Sequence, residues 1–111
     1  MSELSKELID NVFEAIEIVK GTGKLKKGVN EVTKIIERGD AKLVVIAGDI
    51  SPAEITMHLP LLSKEKGVKC VTVDKKEELG VAAGVGVSTA AVAIVKEGDA
   101  KDLIKKINSQ L

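Results

Sequence analysis

A short basic stretch that leads into a predicted helix is the first feature of this sequence that could do chemistry. Lys24, Lys26 and Lys27 precede Gly28, where the missing side chain permits a close approach of the backbone. The free N–H groups and the dipole of a helix N-terminus favour a phosphate at the same place. A solvated loop would carry the same lysines, so this stretch alone leaves both interpretations open.

Three polar residues at the start of that helix indicate a more specific ligand. Asn30 both donates and accepts hydrogen bonds, Glu31 only accepts, and Lys34 only donates. Glu31 and Lys34 are spaced i, i+3, which makes them neighbours on one face of a helix. A carboxylate is repelled by phosphate, but it accepts from guanine N1–H and N2–H, and lysine donates to guanine O6. Lysines on the backbone, with Asn30 and Glu31 on base edges, predict sequence-specific nucleic-acid binding.

Composition narrows the class of protein. The 111 residues suit one domain, 1–111, and the net charge of zero means that a nucleic-acid surface must come from charge segregated on one face. Phe13 is the only aromatic residue, which argues against binding single strands by aromatic stacking. The single Cys70 cannot form an internal disulfide, which favours a reducing, cytoplasmic setting. The N-terminus lacks a signal-peptide core, and no apolar run reaches the roughly 18–20 residues of a membrane span.

The remaining motifs do not support an enzyme. GTGK at 21–24 resembles the end of a phosphate loop, but Ile18 stands where the first glycine belongs. GVGVST at 84–89 lacks the third glycine of a dinucleotide fingerprint. His58 is the only histidine, and Cys70 is expected to be a buried, inert thiol in the middle of a strand. We therefore predict a non-enzymatic protein with no cofactor, no metal and no small-molecule substrate.

Periodicity predicts the elements that position these residues. Helical spacing from Leu4 to Val19 predicts a first helix that ends near Gly21, and a second helix covers about Val29 to Arg38. A very short strand can lie between them, at Lys24 to Lys26. Apolar runs predict a buried central strand at 41–47 and two further strands at 68–73 and 89–95.

Capping signals predict three more helices. Ser51, Pro52 and Glu54 begin one that extends to Gly67, with a break or kink at Pro60. The other two are a short helix at 75–83, begun by a capping box of Asp74 and Glu77, and a last helix capped by Asp99 that buries Leu103, Ile104 and Ile107. Residues 84–88 are expected to form a flexible loop. The alternation of elements predicts an α/β fold, a three-layer α/β/α sandwich with a small mixed, mostly parallel sheet.

The stretch GVNEVTK at 28–34, followed by ERG at 37–39, resembles the signature of the kink-turn-binding ribosomal protein family of the L7Ae type. HLPLL at 58–62, and ELG at 78–80 leading to AGV at 83–85, agree with the same family, and archaeal members are the most similar. The resemblance implies a protein that recognises and stabilises kink-turn motifs. Its RNAs would be ribosomal RNA, box C/D or H/ACA guide RNA, or ribonuclease P RNA. The core proteins of guide ribonucleoproteins would be further partners.

The resemblance also implies roles for individual residues. Tandem sheared G·A pairs would be recognised by Asn30, Glu31 and Lys34. The RNA backbone would be contacted by Lys26, Lys27 and Gly28. The pocket of a flipped-out nucleotide would involve Ile55 and Lys76, and the loop that packs over the bulge and tunes RNA preference would contain Val85, Gly86 and Val87.

The chain departs from the family pattern in several places. Gly48 and Gly86 stand where archaeal relatives usually carry an acid, and Val81 replaces a position that is often basic. These changes leave the Asn-Glu-Lys set intact and bear on RNA preference and partner contacts. The alternative hypothesis is a protein-interaction scaffold of the same fold with weakened RNA binding, docking a partner on the apolar surface around residues 50–62.

Overall fold

The computed structural model describes residues 6–50 and 56–111, which form five α-helices and a four-stranded sheet. The elements are α1 (Lys6–Thr22), β1 (Lys24–Lys27), α2 (Val29–Arg38), β2 (Leu43–Ala47), α3 (His58–Glu65), β3 (Cys70–Val73), α4 (Lys76–Ala83), β4 (Ala91–Lys96) and α5 (Lys101–Ser109). A single 3₁₀ turn, Gly98–Ala100, precedes α5. Among the described helices, none is long and apolar enough to cross a membrane. The helix start predicted at Ser51 to Glu54 lies outside the described residues.

The core lies on both faces of the sheet, whose strands are ordered β1-β4-β2-β3. Side chains of β2 alternate between the faces: Leu43, Val45 and Ala47 contact one apolar cluster, and Val44 and Ile46 contact the other. Helices α1, α4 and α5 cover the first face, and α2 and α3 cover the second. All five residues of β2 are therefore buried, and the predicted three-layer α/β/α sandwich is confirmed.

The sheet is mixed, but the prediction that it is mostly parallel was wrong for the described strands. Only β2 and β3 pair in parallel, whereas β4 is antiparallel to both β1 and β2. The cause is the connection before β4, because residues 84–90 turn back along α4. The Thr89 N–H donates to the Lys76 carbonyl oxygen at 3.3 Å, and a Cβ on Gly80 would overlap the Val87 carbonyl oxygen. Strand β4 therefore begins at the edge where β2 and β3 end.

Two predicted helix caps are wrong. Helix α4 begins after Lys75 without a side-chain cap from Asp74, and the Lys76 N–H donates instead to Asp49 Oδ1 at 2.8 Å. Helix α5 likewise has no side-chain cap from Asp99. The backbone N–H of Asp99 donates to Thr22 Oγ1 at 2.9 Å, which ties the start of the last helix to the end of α1. In both places a tertiary contact replaces the local capping signal.

Pro60 lies in the first turn of α3, and the predicted break at this residue is not present in the described helix. The N–H groups of a first helical turn have no acceptor within the helix, so a proline there removes no helical hydrogen bond. The helix continues through Pro60 to Glu65 and buries Leu59.

Candidate nucleic-acid interface

One edge of the sheet gathers the ends of β1, β2 and β3, and we call it the carboxyl edge. Lys27, the last residue of β1, pairs with Val92, and Ile46 near the end of β2 pairs with Ala91, the first residue of β4. Helices α2 and α4 both begin where strands β1 and β3 end, so their N-termini lie at this edge as well. Ligands of α/β folds commonly bind in crevices at the carboxyl ends of strands.

Gly28 makes the sharp transition from β1 into α2. Its φ of 97° and ψ of 148° lie in a region that is essentially restricted to glycine. Its N–H donates to the Ala91 carbonyl oxygen at 2.9 Å, and its own carbonyl oxygen accepts from the Val32 N–H at 2.9 Å. No side chain caps α2. The first N–H groups of the helix are therefore left for solvent or for an anionic ligand.

The outer face of α2 carries the three residues predicted to contact bases. The inner face of the helix buries Val32, Ile35 and Ile36, which leaves Asn30, Glu31 and Lys34 exposed. The Lys34 Nζ atom lies 3.6 Å from Glu31 Oε2, and the two side chains are 61% and 50% exposed. Ion pairs this exposed contribute little to stability. The two side chains can therefore separate and bind a ligand instead at a small cost in free energy.

The two lysines at the end of β1 lie on opposite faces of an edge strand. Lys26 pairs with Ala93, which contacts the α2 layer, and Lys27 pairs with Val92, which contacts the α1 layer. Lys26 is partly buried and Lys27 is exposed. Lysines on an edge strand also oppose edge-to-edge pairing with another sheet. The pair therefore flanks the turn at Gly28 instead of forming a patch on one face.

The remaining predicted residues lie on α4 and the loop after it, except for Ile55, which is outside the described residues. Lys76 begins α4 at the carboxyl edge. Val85 follows the C-terminal end of α4, where its N–H donates to the Gly80 carbonyl oxygen at 3.0 Å and helps to close the last turn of the helix. Gly86 is exposed, with open space where a Cβ would be, and Val87 is 76% exposed. Lys76 thus lies at the edge itself, and the loop starts at the far end of α4 and returns along the helix until Thr89 reaches Lys76.

Asp49, which holds the start of α4 at this edge, is not among the site residues predicted from the sequence. Its carboxylate accepts the Lys76 N–H at 2.8 Å. The signal that could have indicated Asp49 is its place directly beyond a buried strand, where polar residues approach neighbouring strand ends. Its partner 27 positions away is not visible in the sequence.

His58 has a structural role that its place in the sequence did not indicate. The Thr33 hydroxyl donates to the Val29 carbonyl oxygen at 2.7 Å and lies 2.9 Å from His58 Nε2. Since the single hydroxyl proton is used on Val29, the His58 Nε2–H donates to Thr33 Oγ1. This bond ties α3 to the helix that carries Asn30, Glu31 and Lys34.

Cys70 is the first residue of β3 and is partly buried, so its predicted place in the middle of a strand was wrong, but its thiol is unreactive as predicted. Its burial raises the pKa of Cys70 from 9.0 to about 11. The thiol is therefore neutral near pH 7 and a poor nucleophile. Within residues 6–50 and 56–111, no group of three or more metal-binding side chains could hold a cation.

Comparison with known proteins agrees with this architecture. A family described as the ribosomal protein L7Ae/L30e/S12e/Gadd45 family matches residues 10–104. The solved structure of the Giardia lamblia 15.5kD RNA binding protein is similar, with a TM-score of 0.92 and 33% sequence identity, over 99% of this chain and 92% of that chain. The family is described as ribosomal and the Giardia lamblia protein as RNA binding, which agrees with the prediction that this chain is not an enzyme. The match over most of the chain shows that it belongs to the ribosomal protein L7Ae/L30e/S12e/Gadd45 family.

Proposed function

We propose that this protein binds RNA and stabilises the kink-turn motif, with Asn30, Glu31 and Lys34 contacting the sheared G·A pairs. The observation that carries this proposal is the exposed Glu31 carboxylate beside Lys34, in the first turn of a helix that follows a basic strand. A site for phosphate alone would be weakened by that carboxylate. A similar protein from Giardia lamblia is described as RNA binding, which supports the proposal.

The chemistry of each group determines which part of the RNA it contacts. The Glu31–Lys34 pair separates, so that the carboxylate accepts from guanine N–H groups while the ammonium donates to a base oxygen. Each good base contact contributes about 1–3 kcal/mol of discrimination. Lys26, Lys27 and the N–H groups after Gly28 contact phosphates. The bent RNA is stabilised because it binds these groups better than the extended form does.

The second part of the proposed site recognises the flipped-out nucleotide and the bulge. Lys76 lies at the carboxyl edge and supplies a cation, and Ile55 is proposed to join it. The loop residues Val85, Gly86 and Val87 pack over the bulge, and the 76% exposed Val87 offers an apolar surface for a base. RNA recognition of this kind depends on shape and on a few contacts to unstacked bases.

A mobility-shift titration tests the proposal. We expect tight binding to a kink-turn RNA and at least a tenfold weaker binding when its G·A pairs are replaced by Watson–Crick pairs. Glu31→Ala and Asn30→Ala are expected to lose tight binding while circular dichroism shows an intact fold. Glu65→Ala, at the end of α3, is the matched control and should bind normally. Full binding by Glu31→Ala would refute the role of that residue, and equal binding of both RNAs would refute kink-turn recognition.

We further propose that the protein acts in the cytoplasm on ribosomal RNA of the large subunit, on box C/D or H/ACA guide RNA, or on ribonuclease P RNA. Core proteins of guide ribonucleoproteins are the proposed protein partners. Sequencing of RNA that co-purifies with the protein from its source cells distinguishes these RNAs. Recovery of no RNA with a kink-turn would contradict this assignment.

A scaffold with weakened RNA binding is the second candidate, and exposed apolar residues favour it. Met57 is 65% exposed and Leu61 is 69% exposed, both at or near the start of α3. A protein partner could cover this surface. The titration separates the two candidates, because failure to bind either RNA would favour the scaffold.

A further inference from the structure

A groove of about 750 Å³ lies between α1 and α4, on the face of the sheet opposite to α2. Its apolar lining comes from Ile9 and Phe13 on α1 and from Val81 and Ala82 on α4. Val81 is 73% exposed, and Phe13, the only aromatic residue of the chain, is incompletely buried. Two helices therefore present apolar surface to the same groove.

Carboxylates surround this apolar surface. The acidic lining residues are Asp10, Glu17, Asp74, Glu77 and Glu78, and Lys6 is the cation among the lining residues. Among the described residues, Lys34 and Glu31 form the one ion pair, so none of the five groove carboxylates is paired with a described cation. The groove thus combines an apolar lining with negative charge that the described residues leave unneutralised.

The chemistry of the groove selects among ligand classes. Phosphates of a nucleic acid would be repelled by the carboxylates. The described carboxylates are not arranged to hold a metal ion. An amphipathic helix that places apolar residues at i, i+3, i+4 and i+7 in an apolar groove, with lysine or arginine on its flanks, satisfies both the lining and the charge. Charge complementarity also speeds the encounter of such partners.

We propose that the α1–α4 groove docks a basic amphipathic helix of a partner protein. The α1 lining from Lys6 to Glu17 spans about 18 Å, which matches roughly three turns of a docked helix. The groove shares α4 with the carboxyl edge but lies across the sheet from α2. The partner is therefore held beside the proposed RNA site without covering Asn30, Glu31 or Lys34. Docking does not depend on RNA binding, so each is tested separately.

The test uses a synthetic helical peptide of about four turns, with a leucine stripe, lysine flanks and one tryptophan on the apolar face. The full chain contains no tryptophan, so the fluorescence of the complex reports the peptide alone. We expect saturable binding that weakens with salt. A peptide with the same apolar stripe and glutamate flanks should bind at least tenfold more weakly.

Two matched substitutions locate the binding site on the protein. Val81→Lys places a cation in the groove at an exposed position and should weaken binding of the basic peptide at least tenfold. Leu61→Lys makes the same kind of change at the 69% exposed Leu61 on α3 and should leave binding unchanged. The double variant Glu77→Gln, Glu78→Gln removes two charges and should reduce both the affinity and its salt dependence. Circular dichroism verifies that each variant is folded.

Several results would overturn the proposal. These are no saturable binding of the basic peptide, equal affinity for the acidic peptide, and unchanged binding by Val81→Lys. If deletion of residues 1–5 strengthened peptide binding tenfold or more, the chain's own N-terminal segment would be the occupant. Self-association in sedimentation that Val81→Lys abolishes would make a second copy the occupant, which also contradicts a partner helix.

Discussion

Replacement of Gly28 by alanine is expected to destabilise the protein through the backbone alone. The φ of 97° and ψ of 148° place Gly28 in a region that other residues almost never adopt. A Cβ at this position would meet no heavy atom within 4 Å, so the substitution adds strain without a steric clash. Strain of this type costs about 1–3 kcal/mol.

Relaxation of the backbone at residue 28 would cost about as much free energy as the strain that it relieves. Rotation of residue 28 to a negative φ would break its hydrogen bonds to the Ala91 carbonyl oxygen and the Val32 N–H, both at 2.9 Å. Each such bond contributes a net stabilisation of about 0.5–1.5 kcal/mol. The loss of both is comparable to the strain itself. We therefore expect the free energy of unfolding to fall by about 1–3 kcal/mol whichever state the variant adopts.

Thermal and urea denaturation measure this loss. For a domain of this size 1 kcal/mol corresponds to about 4 °C, so the Tm of Gly28→Ala should fall by about 4–12 °C. Gly21→Ala is the matched control, because Gly21 lies in α1, has no positive φ and has open space for a Cβ. Alanine is the better helix former, so Gly21→Ala should raise stability by up to about 1 kcal/mol. Wild-type stability of Gly28→Ala would refute the assignment of strain.

Four further outcomes follow from the contacts described above. Asp49→Ala should lower the free energy of unfolding, measured by urea denaturation, by about 0.5–2 kcal/mol, as for loss of a helix cap. Asp49→Asn keeps an acceptor oxygen and should retain most of the wild-type stability; equal losses in the two variants would assign the effect to charge. Cys70 should react with iodoacetamide more slowly than an exposed thiol, since a pKa raised from 9.0 to about 11 lowers its thiolate fraction roughly a hundredfold. Between about pH 9 and pH 11 the unfolded chain loses the thiol proton while the folded chain keeps it. The free energy of unfolding should therefore fall with rising pH in the wild type, and fall less in Cys70→Ala. Identical pH profiles of the two proteins would contradict a contribution from the Cys70 thiol. Gly80→Ala should lower the free energy of unfolding by about 1–3 kcal/mol, because its Cβ would overlap the Val87 carbonyl oxygen. Gly86→Ala, where a Cβ meets open space, should change it by less than about 0.5 kcal/mol. Equal effects of the two substitutions would refute the close packing of the loop on Gly80.

The sequence specified α2 well because its signals are local. An apolar stripe on one face and a glycine at each end predict a helix from Val29 to Arg38, and these are the observed bounds. Gly39 ends the helix in the left-handed conformation, with a φ of 77°. The polar residues that indicated nucleic-acid chemistry lie on this helix. Their exposure on one outer face therefore followed from helical spacing alone.

The direction of β4 and the helix caps could not be predicted in the same way. An alternating or apolar pattern looks the same whichever way a strand runs, and here the direction depends on the return of residues 84–90 along α4. The capping signals at Asp74 and Asp99 are genuine local patterns. Contacts that involve Asp49 and Thr22, both distant in sequence, take the place of these caps. The opposite faces of Lys26 and Lys27 likewise required the pairing register of β1.

The position of β4 between β1 and β2 has a consequence for protein synthesis. In the described sheet β1 lies at an edge and pairs with β4, so residues 24–27 have no partner strand until residues 91–96 have been made. Pairing between segments so far apart in sequence also forms late in folding, because a long loop must close first. A nascent chain therefore exposes its lysines without the assembled carboxyl edge. Selective recognition of the proposed RNA at this edge therefore requires that residues 91–96 have been synthesised.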